Sequence, residues 1–272
     1  MNNAAIGVFD SGVGGLTCVK ELARLMPNEN IVYLGDTARV PYGTKSKELI
    51  AQYGRQDIKF LEQHNVKMVL VACGTVSSVL MTTPIFEGTS ITEFSGVIYP
   101  AVHAACASTQ NNRIGVIGTP ATIRSGCYGK AIHEMKPDIK VVGKACPMFV
   151  PLVENGYTSP DNRVSKLIAQ EYLEVMIREK VDTLILGCTH YPMLKDVIAE
   201  VMGEGVKLIS SGAEVAKHAQ KILSFNDALS DREQNGTLEL YCTDSVELFA
   251  ENVGAFLGNN KNITISKCSL AL

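Results

Sequence analysis

The sequence predicts an α/β protein of two similar open-sheet domains related by a pseudo-twofold axis, with the active site in the interdomain cleft. Three observations carry this prediction. Apolar runs of strand length alternate with stretches of helical spacing along most of the chain, the pattern of parallel sheets flanked by helices. The first part of that pattern recurs later in the same order. Two of the strand-like runs, Val66–Ala72 and Val181–Leu186, lead into matching polar clusters, Cys73-Gly74-Thr75 and Cys188-Thr189-His190. In an open α/β sheet, ligands bind beyond the carboxyl ends of the strands, where these clusters fall.

The elements follow in order. Ala5–Phe9 is a strand, Asp10 to Gly15 a glycine-rich turn, and Leu16–Met26 a helix that stops before Pro27. Asn30–Leu34 is a second strand. The polar loop Gly35–Thr44 leaves its end and is a candidate binding loop. Ser46 caps a helix running to about Gln63, and Val66–Ala72 is the third strand. A helix begins at Ser77–Met81 and ends near Pro84. Ile91–Ile98 leads into Pro100, read as a crossing point between domains.

The pattern then restarts. His103–Thr109 is a helix, Asn112–Ile117 and Asp138–Val142 are strands, and Cys146–Gly156 is a loop. Arg163–Lys180 is a long helix, followed by the strand Val181–Leu186. Three segments match in order: NNRIGVIGT with NNAAIGVFDSG, Asp138–Val142 with Ile31–Leu34, and KVDTLILGCTH with NVKMVLVACGT. Ile6 precedes Cys73 by 67 positions and Ile114 precedes Cys188 by 74. Three matches at nearly the same spacing read as an internal repeat. The remainder is a strand at Val206–Ile209, a helix at Ala213–Leu223, a polar loop at Asn226–Gly236 and a strand at Thr237–Cys242. A helix near Val246–Phe256, capped by Thr243 or Asp244, and a last strand at Lys261–Ser266 close the chain. The expected division is residues 1–99 with 210–272 as a discontinuous first domain carrying Cys73, and 100–209 as a second carrying Cys188.

Composition narrows the function. The 272 residues are 46% apolar and 19% charged, as in an ordinary globular protein. A net charge of -3 without a long basic run argues against a nucleic-acid partner. No apolar run approaches the roughly 20 residues of a membrane helix. The opening MNNAAIGVFDSG has neither the basic nor the apolar region of a signal peptide, so a cytoplasmic location and no membrane partner are expected. The eight cysteines are then not expected to pair as disulfides.

Duplication places Cys73 and Cys188 face to face across the cleft with a small ligand between them. A thiol is a poor base at its usual pKa, so each needs help. Asp10, on the strand next to that of Cys73, His190, two residues past Cys188, and Glu154 are the candidate helpers. Other readings are inert packing cysteines, a cysteine hydrolase, or a zinc site built from Cys188, His190 and Cys73. The last lacks the four ligands of a closed site, and no metal is expected.

DSGVGGL, YLGDTARVPYG, GCTHYP and the stretch around Cys73 resemble glutamate racemase, within the aspartate/glutamate racemase superfamily. The resemblance covers nearly the whole chain. It implies cofactor-independent interconversion of L- and D-glutamate, supply of D-glutamate for peptidoglycan, and a homodimer. It implies that Cys73 and Cys188 are the catalytic thiols, supported by Asp10, His190 and Glu154. Ser11, Tyr42, Gly43, Gly74, Thr75 and Thr189 correspond to substrate binders, with Thr119 and Thr122 in the matching loop of the second domain. An aspartate or broader-specificity racemase and a non-catalytic amino-acid-binding homologue are the alternatives. One position departs: the family usually has asparagine where this chain has Gly74. Loss of that amide leaves a charged substrate group short of a hydrogen bond worth about 1.5–3 kcal/mol.

Overall fold

The computed structural model describes residues 2–258 and 262–270. Among these residues, ten strands form two parallel sheets. The first sheet contains β1 (Ala5–Asp10), β2 (Ile31–Gly35), β3 (Val66–Val71), β4 (Phe94–Gly96), β9 (Leu238–Cys242) and β10 (Ile263–Lys267), in the order β10-β9-β2-β1-β3-β4. The second contains β5 (Arg113–Gly118), β6 (Lys140–Ala145), β7 (Thr183–Leu186) and β8 (Lys207–Ser210), in the order β6-β5-β7-β8. Each sheet with its helices is a lobe. The central strand β1, AIGVFD, is buried along its whole length, as a parallel strand covered on both faces must be.

The repeat is visible in the register. The neighbours of β1 are β2 and β3, and those of β5 are β6 and β7. Phe9 pairs with Val71 and Ile117 with Leu186. Beyond these pairs the Ala72 N–H donates to the Phe9 carbonyl (2.9 Å) and the Gly187 N–H to the Ile117 carbonyl (2.7 Å). Cys73 and Cys188 are the next residues in each lobe and so occupy equivalent places. Both follow the strand across the switch in strand order, where a crevice opens at the sheet's carboxyl edge.

The helices are α1 (Leu16–Leu25), α2 (Lys47–Glu62), α3 (Gly74–Leu80), α4 (Ile98–Ser108), α5 (Pro120–Arg124), α6 (Cys127–Met135), α7 (Phe149–Glu154), α8 (Arg163–Arg178), α9 (Lys195–Met202), α10 (Ser211–Phe225) and α11 (Val246–Leu257). Short 3-10 turns occupy Thr37–Arg39, Tyr42–Thr44 and Tyr191–Leu194. One core cluster runs from Ile6, Val8 and Leu70 of the first sheet to Val116 and Ile185 of the second, through α1, α4 and α10. A second cluster lies under α2 and α3 on the other face of the first sheet, around Phe9, Leu34 and Val71. A shared core fixes the two lobes against each other. Among the described residues, no helix is long and apolar enough to cross a membrane.

Several expectations need correction. Pro100 lies in the first turn of α4, which begins at Ile98 rather than His103. A first-turn proline forfeits only an N–H that has no intrahelical partner. Helix α3 starts at Gly74, not Ser77, which makes Cys73 its N-cap residue. The Cys146–Gly156 segment contains α7. The strand expected at Asp138–Val142 runs from Lys140 to Ala145. Ser245, not Thr243 or Asp244, caps α11, accepting the Leu248 N–H at 3.3 Å. The Ser46 cap of α2 is present, with the Leu49 N–H at 3.3 Å. The last strand is Ile263–Lys267, and Lys261 lies outside the described residues.

Candidate active site

A cavity of about 420 Å³ opens between the strand ends of the two lobes. Its first-lobe wall carries Ser11, Tyr42, Gly43, Cys73, Gly74 and Thr75; its second-lobe wall carries Thr119, Glu154, Cys188, Thr189 and His190. Apolar surface from Val40, Pro41, Pro147, Val150 and Pro151 completes the rim. Of the residues selected from sequence, Asp10 and Thr122 are not on the wall. Asp10 is 1% exposed and stands behind the Ser11–Gly12 turn, accepting the Gly12 N–H at 3.1 Å. Thr122 is buried behind Thr119, with the two hydroxyls 3.0 Å apart.

The two thiols sit in different surroundings. The Cys73 thiol donates to the Ser11 hydroxyl at 3.6 Å. Burial, reinforced by the nearby Asp10 carboxyl, pushes its pKa up to about 12 against the opposing effects of the Val76 backbone and Ser11. The Asp10 pKa is itself raised above its ordinary value by burial, despite the His190 charge and turn amides that favour its anion. On the other wall, the Cys188 sulfur lies 4.0 Å from Nδ1 of His190. Nε2 of the same ring meets Oε1 of Glu154 at 3.0 Å. Burial disfavours the imidazolium, yet Cys188 and Glu154 together push the His190 pKa up to about 10. Burial thus keeps Cys73 a neutral thiol beside the Asp10 carboxyl, while on the other wall the surroundings of His190 favour its cation beside the Cys188 sulfur.

Direct contacts join the walls. The Thr189 hydroxyl donates to Oδ1 of Asp10 at 3.5 Å, and the Thr17 hydroxyl to the Thr189 carbonyl at 3.0 Å. The hydroxyls of Thr75 and Thr119 are 3.1 Å apart. Thr119 also caps α5, accepting the Thr122 N–H at 3.2 Å.

A buried network holds the Tyr42–Thr44 turn in the cleft. The Tyr42 hydroxyl donates to Asp36 and stands 3.4 Å from Asp57; Arg39 bridges Asp36, Gln56 and Asp57. Asp36 and Asp57 are both fully buried. Burial, with the neighbouring Asp36 charge, raises Asp57 well above the carboxylate range. The polar end of Tyr42 thus faces the network, and the turn it anchors presents Gly43 to the cavity. Sequence reading passed over Asp57 and Thr17. Asp57 has a signal: it falls on the buried stripe of α2 with Ile50, Gly54, Ile58 and Leu61, where a lone carboxylate needs a partner. Thr17 has none, since its role depends on a residue 172 positions away. Among the described residues, no group of three or more His, Cys, Asp or Glu side chains is disposed to hold a metal ion.

Comparison with known proteins agrees with this geometry. The sequence model of a family described as Asp/Glu/Hydantoin racemase matches residues 6–219. A glutamate racemase from Geobacter metallireducens is 45% identical over 254 residues, covering 93% of each chain. The crystal structure of glutamate racemase isoform RacE1 from Bacillus anthracis superposes with a TM-score of 0.92 at 38% identity, covering 99% of both chains. That of glutamate racemase from Francisella tularensis in complex with D-glutamate gives 0.88 at 36% identity, covering 99% of this chain and 98% of the other.

Proposed function

The chain belongs to the Asp/Glu/Hydantoin racemase family, among its glutamate racemases, and from that premise we propose cofactor-independent racemisation of glutamate by two thiols. The observation that carries the reading is the pair Cys73 and Cys188, delivered by equivalent strands to opposite walls of one cavity. The Cys188 thiolate takes the α-proton from one face of the substrate. The C–H electron pair stays on the α-carbon, and the Cys73 thiol delivers its proton to the other face. The enzyme is then left with a Cys188 thiol and a Cys73 thiolate, the form that runs the reverse direction. Both sulfurs must be within hydrogen-bond reach of one carbon, which the cleft geometry favours.

The other residues take supporting roles in this reading. His190, held by Glu154, faces Cys188 with positive charge when that sulfur is anionic. Asp10 positions the Ser11–Gly12 turn and acts on Cys73 through its charge. Ser11, Thr75, Thr119 and Thr189, with the backbone of Gly43 and Gly74, supply hydrogen-bonding groups for the carboxylates and ammonium of an amino acid. Thr122 acts through Thr119. The chain is proposed to divide at residues 1–99 with 210–272 and 100–209. A cytoplasmic homodimer supplying D-glutamate for peptidoglycan completes the proposal.

The test is incubation of L-glutamate with the protein in deuterated water, without added cofactor. D-glutamate carrying α-deuterium is the expected product. Absence of both D-glutamate and exchange overturns the reading, and faster turnover of aspartate overturns the choice of substrate.

A further inference from the structure

The residue after one thiol and the residue before the other meet across the cleft. A Cβ added to Gly74 would stand 2.4 Å from the Gly187 carbonyl oxygen, where Cβ contacts essentially never fall below 3.0 Å. The obstacle is backbone, so no rotamer change relieves it. Gly187 has little room to retreat. Its N–H is tied to the Ile117 carbonyl at 2.7 Å, and a Cβ on Gly187 would itself meet that oxygen at 2.8 Å. Gly74 is anchored as well, as the first residue of α3. The Ser77 hydroxyl of that helix donates to the Val71 carbonyl at 3.0 Å and accepts the Val97 N–H at 3.1 Å. Two fixed backbones therefore touch beside the two sulfurs, and they touch because residue 74 has no side chain.

A second cross-cleft contact has the same character. A Cβ on Gly14 would fall 2.3 Å from the Thr189 hydroxyl and 2.5 Å from Nδ1 of His190. The lobes close on glycine at both places, with the Thr75–Thr119 hydroxyl pair between the walls at 3.1 Å.

We propose that Gly74 is a positioning residue that sets the closed separation of the lobes, and thereby the gap between Cys73 and Cys188. The inference rests on the two-thiol reading. A side chain at residue 74 then acts first through its Cβ, which must move one backbone by more than half an ångström to clear the Gly187 carbonyl. Misplacing reacting groups by 1 Å costs on the order of 10²-fold in rate. A glycine that merely lacks the amide of asparagine predicts the reverse. In that case asparagine improves binding and alanine changes nothing.

Gly74→Ala and Gly74→Asn separate the two. Gly254→Ala is the control, since its Cβ meets nothing within 4 Å. The readouts are kcat and KM for both enantiomers and Tm. The expected result is a loss of kcat of about 10–100-fold in both Gly74 variants and both directions, exceeding any change in KM, with the control at wild-type rates. Wild-type kcat in Gly74→Ala, or improved kcat/KM in Gly74→Asn, overturns the proposal. A wild-type crystal structure with D-glutamate tests it without relying on a variant that must fold. The Gly74–Gly187 backbone contact is expected to persist in that complex, and its loss overturns the proposal. Wild-type turnover is measured separately, so failure of the two-thiol reading is distinguishable from failure of the Gly74 proposal.

Discussion

Cys73 and Cys188 occupy equivalent positions in a repeated fold, yet their neighbours differ in the sign of their charge. Beside Cys73 are the Asp10 carboxyl and the Ser11 hydroxyl, and burial holds the thiol near pKa 12. Beside Cys188 is His190, whose cation is favoured because Cys188 and Glu154 outweigh its burial. The repeated strand arrangement supplies the matching geometry, and the local sequence differences supply the polarity. Asp10 corresponds to Gly118 in the second lobe by strand register, so the acid at that position has no equivalent there. The difference suits a reaction in which one thiol must be a base while the other is an acid.

The largest effect should come from breaking the pair itself. Cys73→Ser and Cys188→Ser are each expected to lower kcat by at least about 10³-fold, within the range for removing a general acid or base. Each variant keeps one thiol, so slow α-hydrogen exchange in deuterated water should be confined to one enantiomer, and the two variants should favour opposite ones. Proton NMR of the recovered glutamate reads this directly. Exchange of both enantiomers by one variant contradicts a two-sided site.

The helpers sharpen the comparison, because their removal should cost activity on both sides but shift stability in opposite directions. His190→Asn is expected to lower kcat by about 10²-fold and to lower Tm at neutral pH. The folded pKa of His190, about 10, lies above its ordinary value of 6.5. Its stabilisation is therefore fully present below about 6.5 and lost as pH rises through 10, so the wild-type advantage in Tm should fade across that window. Asp10 has the opposite sign. Its pKa is raised by burial, so its anion destabilises the fold at neutral pH, above its ordinary value of 3.8. Asp10→Asn is expected to raise Tm while lowering kcat about 10-fold, at the modest end of what a supporting group supplies. Thermal melts and initial rates on the same samples check both.

The smallest effect should fall on the buried network that holds the Tyr42–Thr44 turn. Tyr42→Phe removes a buried donor from Asp36 and Asp57, which costs about 1–3 kcal/mol of stability. The turn presenting Gly43 loosens, so KM should rise several-fold with kcat nearly unchanged. Steady-state kinetics beside a denaturant titration check this.

Much of this was legible in the sequence because it is carried by local pattern. Buried parallel strands such as β1 and β7 are short unbroken apolar runs, and a repeat shows itself by order and spacing. The helices α5, α6, α7 and α9 were missed. They are five to nine residues long, too short for helical periodicity to show, and α5 and α7 contain proline. In both, proline sits in the first turn, where its missing N–H costs nothing. The thiols and His190 were readable because they follow strands at fixed offsets. The Asp36–Arg39–Asp57 network and the Thr17–Thr189 contact were not, since each joins residues that only the folded chain brings together. Gly74 was read as a missing amide. Its steric role needed the Gly187 carbonyl, more than a hundred residues further along the chain.

The most direct test of the central claim is a crystal structure of the wild-type protein with glutamate bound in the cleft. The account predicts the α-carbon between the Cys73 and Cys188 sulfurs, each within roughly 3.5 Å of the atom it serves and on opposite faces. An α-carbon lying outside the interval between the two sulfurs, or approached by both from one face, would contradict it.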